Sequence, residues 1–148
     1  MRMVSQILLF CLLSSAPFGI LIGLNGLILE NGREFILVVY GNLLLAFVIH
    51  ELGHLIMAWF RLPQEEKISY AIKWNLRGVS QIYKTSSKKN LLFISSSGSL
   101  CNFLTIVVLH SLDIQNQPLI SFSMFIGIIS ILPGSNDLNS IKKSLQKE

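Results

Sequence analysis

Residues 35–60 read FILVVYGNLLLAFVIHELGHLIMAWF. The run is apolar almost throughout, and its only ionisable side chains besides Tyr40 are His50, Glu51 and His54. An α-helical crossing of a bilayer needs about 20 mainly apolar residues. Ionisable groups inside such a run are costly to bury and mark function by default. The stretch therefore sets two expectations together: a helix in lipid, and a polar site in its second half.

The rest of the chain agrees with lipid as the solvent. Its 148 residues make one domain, 1–148, too small for an enzyme with a large extramembrane part. Hydrophobic residues are 51% and charged residues only 14%, against about 25% charged in soluble domains. That excludes an ordinary soluble globule and a disordered chain. The net charge of +4 raises nucleic acid as a partner, but the basic residues sit between apolar runs, where a bilayer explains them better. No nucleic-acid partner is expected. Cys11 and Cys101 lie inside apolar stretches, form no CxxC pair and imply no disulfide framework.

Three more runs compete as spans, at about residues 7–29, 91–112 and 119–133, the last ending at Pro133-Gly134. The first could instead be a signal peptide, with Arg2 as its basic start and Ser14-Ser15-Ala16 as a cleavage site. Pro17 directly after the cut, and the apolar run continuing through Leu24, favour a retained, kinked span. Four spans place Arg2, Arg61, Lys67, Lys73, Arg77, Lys84, Lys88, Lys89, Lys142, Lys143 and Lys147 on one side and Arg33 alone on the other. The positive-inside rule then puts both termini in the cytoplasm of, by expectation, a bacterial cell. Between the second and third spans, Ile68, Tyr70, Ile72, Trp74 and Leu76 alternate with polar or small residues, and Val79–Tyr83 can return. This period of two predicts a cytoplasmic interfacial β-hairpin. It reads either as an amphipathic surface element or as an edge for an extended peptide. The expected fold is thus an all-α membrane protein of about four helices plus that hairpin.

His50-Glu51-Leu52-Gly53-His54 is an H-E-x-x-H pattern. Residues four apart share a helix face, so both imidazoles can reach one metal ion, and Glu51 is close enough to take a proton from metal-bound water. Catalytic zinc takes three protein ligands and keeps one position for water. The extension H-E-x-x-H-x-x-G-x-x-H fails, since Met57 and Phe60 hold its later positions. The motif lies roughly 9–15 Å from the cytoplasmic end of its span. His110 and Asp113 fall at the opposite, external end, and Glu65 and Glu66 fall in the cytoplasmic loop. Asp137 remains, just past the Pro133-Gly134 break, where unwound backbone can tuck it inward; the plainer reading is a solvated capping residue. Asn102 lies at a depth similar to the histidines. It reads either as an interhelical hydrogen-bonding group or as a donor to substrate or oxyanion.

These residues resemble the site-2 protease family of intramembrane zinc metalloproteases. His50-Glu51-Leu52-Gly53-His54 fits its H-E-x-G-H form. Gly98-Ser99-Leu100-Cys101-Asn102 is similar to its G-P-x-x-N segment, with Ser99 in place of proline. Ser130-Ile131-Leu132-Pro133 followed by Asp137 resembles its N-x-x-P…D-G segment. There Ser130 replaces Asn, Leu138 replaces Gly, and Asp137 follows Pro133 by one residue fewer than usual. The likeness covers about residues 35–140. It implies Zn²⁺ on His50, His54 and Asp137, Glu51 as general base, Asn102 toward substrate, and hydrolysis of membrane-embedded or membrane-associated peptides and proteins. A different membrane zincin, and a protease-derived binding or immunity protein without catalysis, are the alternatives. An intact Glu51 argues against the latter.

Overall fold

The computed structural model describes residues 2–26, 32–64, 71–75, 78–82 and 87–145. They form, in order, α1 (Arg2–Gly26), α2 (Gly32–Arg61), β1 (Ala71–Asn75), β2 (Gly78–Ile82), α3 (Lys88–Ser111), α4 (Gln117–Ser130) and α5 (Asn136–Leu145). The chain is predominantly helical.

Local chemistry sets most of these boundaries. α2 contains no proline and ends two residues before Pro63, where the helical conformation becomes disfavoured. Ser87 caps α3 by accepting from the Asn90 N–H. Asn116 caps α4 by accepting from the Leu119 N–H at 3.2 Å. Pro118 follows in the first turn of α4, where its missing N–H costs nothing. Pro17 sits inside α1 without ending it.

β1 and β2 pair antiparallel, Ala71 opposite Ile82 and Asn75 opposite Gly78. The described strands overlap the two alternating stretches, 68–76 and 79–83. The expected positions Ile68, Tyr70, Leu76 and Tyr83, with the loop acids Glu65 and Glu66, lie outside the described residues.

α2 is the central element and packs against α1, α3 and α4, while α3 also contacts α4 and α5. One apolar cluster, Leu43, Ala46, Leu119 and Ile126, joins α2 to α4. A second, Ala58, Leu62 and Ile94, joins the end of α2 to the start of α3. Polar contacts add register between helices. Ser15 and Tyr40 hydroxyls meet at 3.1 Å between α1 and α2. Asn116 donates to Asn42 Oδ1 at 2.9 Å, tying the α4 cap to α2.

Of the four expected spans, two are matched in length and composition by described helices. Among the described residues only α2 and α3 are long and apolar enough to cross a membrane. α4 has 14 residues, roughly 21 Å at 1.5 Å each, against a hydrocarbon core of about 30 Å. In α1 the shorter stretch Ser15–Asn25 is apolar.

Burial is inverted relative to a water-soluble bundle. His50, Glu51, His54, Ser95, Ser97, Ser99, Asn102, Ser123 and Ser130 are buried, while Leu37, Phe60, Leu104 and Val107 are more than half exposed. Buried polar groups and large exposed apolar ones are the informative deviations from ordinary burial.

Candidate metal centre

His50 and His54 are one helical turn apart on α2, and both are buried. Their Nε2 atoms lie 3.2 Å apart, with the ring planes at 86° to each other. Asp137 arrives from α5. Its Oδ2 lies 3.2 Å from His50 Nε2 and 3.4 Å from His54 Nε2. The three donor atoms therefore form a near-equilateral triangle. Zinc bonds of 2.0–2.1 Å in tetrahedral geometry put neighbouring ligand atoms about 3.3 Å apart. Two imidazole nitrogens and one carboxylate oxygen, at that spacing, fit one face of a zinc tetrahedron and leave its fourth vertex for water.

The surroundings hold these groups in place. The Ile94 carbonyl sits 2.6 Å from His54 Nδ1. A carbonyl only accepts, so Nδ1 carries a proton and Nε2 is the nitrogen turned toward a metal, the usual arrangement of a ligating histidine. Ser97 donates to the same carbonyl at 2.7 Å.

Two glycines bring α2 and α3 close enough for this. A Cβ on Gly53 would lie 2.7 Å from the Ser97 carbonyl oxygen and 2.8 Å from Cys101 Sγ. A Cβ on Gly98 would lie 2.7 Å from His50 Cε1 and 2.8 Å from its Nε2, and closer still to His54 Nε2. The backbone of α3 thus forms one wall of the centre, and only glycine fits there.

Asp137 is placed by a turn and a cap. α4 stops at Ser130, and Gly134 takes φ +97°, a conformation glycine adopts without the steric cost of a Cβ. Ser135 donates to the Ser130 carbonyl at 2.5 Å and accepts from the Leu138 N–H at 3.2 Å, opening α5. Asp137 therefore sits in the first turn of a helix, where negative charge is favoured. Burial alone would raise its carboxyl, but hydrogen bonds from His50 and His54 outweigh that and hold it at about 2. It is a carboxylate at any pH at which a metal would bind.

The structure thus brings together the predicted His50, His54 and Asp137, the one such group of potential metal ligands among the described residues. Glu51 is buried on α2 beside them. Asn102 is fully buried, its Nδ2 3.4 Å from His50 Nδ1. His110 and Asp113 are exposed at the far end of α3, where they line a separate depression.

Sequence reasoning missed the Ile94 carbonyl, the Ser135 cap and a direct contact between Ser99 and Ser130 hydroxyls at 2.5 Å. A serine three residues before Leu138 was a legible capping signal; the other two depend on tertiary packing. No family model, curated protein or solved structure matches this chain.

Proposed function

We propose that this protein is an intramembrane zinc metalloprotease, hydrolysing peptide bonds of membrane-embedded or membrane-associated substrates. The observation that carries the reading is the triangle of His50 Nε2, His54 Nε2 and Asp137 Oδ2, with edges of 3.2, 3.2 and 3.4 Å, beside a buried Glu51. The inverted burial pattern supports a lipid environment, in which α1 and the shorter α4 also cross, beside α2 and α3.

The proposed orientation puts the loop between α2 and α3, and both termini, in the cytoplasm, following the bias of Lys and Arg. The centre then lies roughly 10–17 Å from the Arg61 end of α2.

His50, His54 and Asp137 would hold the metal. Zinc, when bound, supplies polarisation of the scissile carbonyl and a water with a pKa of about 7. Glu51 takes the proton from the attacking water and delivers it to the leaving amine. Burial beneath α3 keeps bulk water from this exchange. The two-stranded β1–β2 ladder offers an edge on which a substrate strand can be held extended.

Two positions where the sequence departs from the site-2 protease pattern, Ser99 and Ser130, are bonded to each other. That contact joins α3 to α4 at the level of Gly98, and it supports the two changes as a matched pair.

The test is Glu51→Gln, which keeps size but removes the base. General acid–base catalysis contributes about 10²–10⁴-fold. New peptide N-termini in membranes of cells producing the wild type are expected to vanish with the variant, while zinc is retained. Identical N-termini in both, or full rescue of a deletion strain by Glu51→Gln, would overturn the protease reading in favour of a binding protein.

A further inference from the structure

The two histidines have different partners at Nδ1, and the difference is informative. His54 Nδ1 faces the Ile94 carbonyl at 2.6 Å, which leaves Nε2 free to bind a metal. His50 Nδ1 faces the Asn102 amide nitrogen at 3.4 Å. An amide nitrogen only donates, so this arrangement makes His50 Nδ1 the acceptor and puts the ring proton on Nε2. A protonated Nε2 can donate to Asp137 but cannot ligate a metal. Meanwhile Asn102 Oδ1, the other end of the same fully buried amide, has no hydrogen-bond partner.

The two ends of an amide are nearly identical in size and are assigned from their hydrogen bonds. A half-turn about the last side-chain bond exchanges them and barely moves a heavy atom. It would place Oδ1 opposite His50 Nδ1, to accept a proton there, and free Nε2 for the metal. We infer that Asn102 is the orienting partner of His50, its Oδ1 accepting from His50 Nδ1–H when metal is bound, as the Ile94 carbonyl does for His54. Asn102 is then a positioning residue acting through His50 and not a donor to substrate or oxyanion. The inference rests on the metal reading above.

Its position on α3 suits that role. Asn102 lies one turn after Gly98, the residue whose missing side chain lets α3 approach both rings. The same face therefore supplies the space for the imidazoles and the acceptor that fixes the tautomer of one of them. Losing a partner of a ligating histidine typically weakens metal affinity about 10–100-fold.

The experiment measures zinc affinity of the purified full-length protein in detergent by competition with a chromophoric chelator. Wild type, Asn102→Leu and Asn102→Asp are compared. Leucine matches the size and removes the acceptor; aspartate keeps an oxygen acceptor and removes the donor. Asn102→Leu is expected to bind zinc about 10–100-fold more weakly, and Asn102→Asp as tightly as wild type or tighter. Wild-type affinity in Asn102→Leu would overturn the inference. So would a tenfold or greater loss in Asn102→Asp, because that result assigns the amide N–H the important role. Should Asn102→Leu fail to fold, the aspartate variant decides alone. Absence of zinc from the wild type would overturn the metal centre itself, a result distinct from either.

Discussion

Gly98 and His50 face each other across the α2–α3 interface with no room for a methyl group: a Cβ on Gly98 would stand 2.8 Å from His50 Nε2. The obstructed atoms belong to rings already held by the Ile94 carbonyl and Asp137, so they have little freedom to withdraw. Overpacking of this kind costs about 1–3 kcal/mol. Gly98→Ala is expected to insert normally yet bind zinc at least tenfold more weakly. Gly41→Ala is the control, since nothing lies within 4 Å of a Cβ there. Equal zinc affinity in both variants, measured by chelator competition, would mean that α3 does not wall the centre.

Ser135 holds the turn that delivers Asp137. Its hydroxyl bonds to the Ser130 carbonyl and to the Leu138 N–H. Removing such a cap costs about 1 kcal/mol, here concentrated on the segment that carries the candidate ligand Asp137. Ser135→Ala should weaken zinc binding several-fold, and Ser135→Asp should restore the cap to the Leu138 N–H and recover much of the loss. An alanine variant with unchanged zinc affinity would show that packing of α5 on α3 places Asp137 unaided.

The orientation can be read with single cysteines and a membrane-impermeant thiol reagent in intact cells. Lys88 and Gln115 are both exposed, one at the start of α3 and the other just past its end. Position 115 should label from outside and position 88 only after permeabilisation. Labelling of position 88 in intact cells would invert the proposed topology.

How much of this was legible beforehand follows from the range of each interaction. The histidine pair was readable because i,i+4 spacing on a helix is local geometry. Asp137 was reachable by exclusion, since the other acids and His110 fall at wrong depths. Its actual route inward, through Gly134 at positive φ and the Ser135 cap, depends on backbone conformation that composition does not specify. The end of the last apolar stretch was placed too late because hydropathy continues smoothly through Ser130–Pro133, whereas α4 ends at Ser130. The Ile94 carbonyl could not have been found from residue type, since every residue carries a carbonyl and only the α2–α3 crossing selects this one.

The central claim is that His50, His54 and Asp137 form a zinc site. Zinc content of protein purified in detergent without added metal tests it most directly, comparing wild type with Asp137→Ala and His110→Ala. The account predicts about one zinc per chain in the wild type and in His110→Ala, whose residue is exposed at the opposite end of α3, and strongly reduced zinc in Asp137→Ala, where one of three protein ligands is gone. A wild type free of zinc, or a zinc content that survives Asp137→Ala and disappears in His110→Ala, would contradict it.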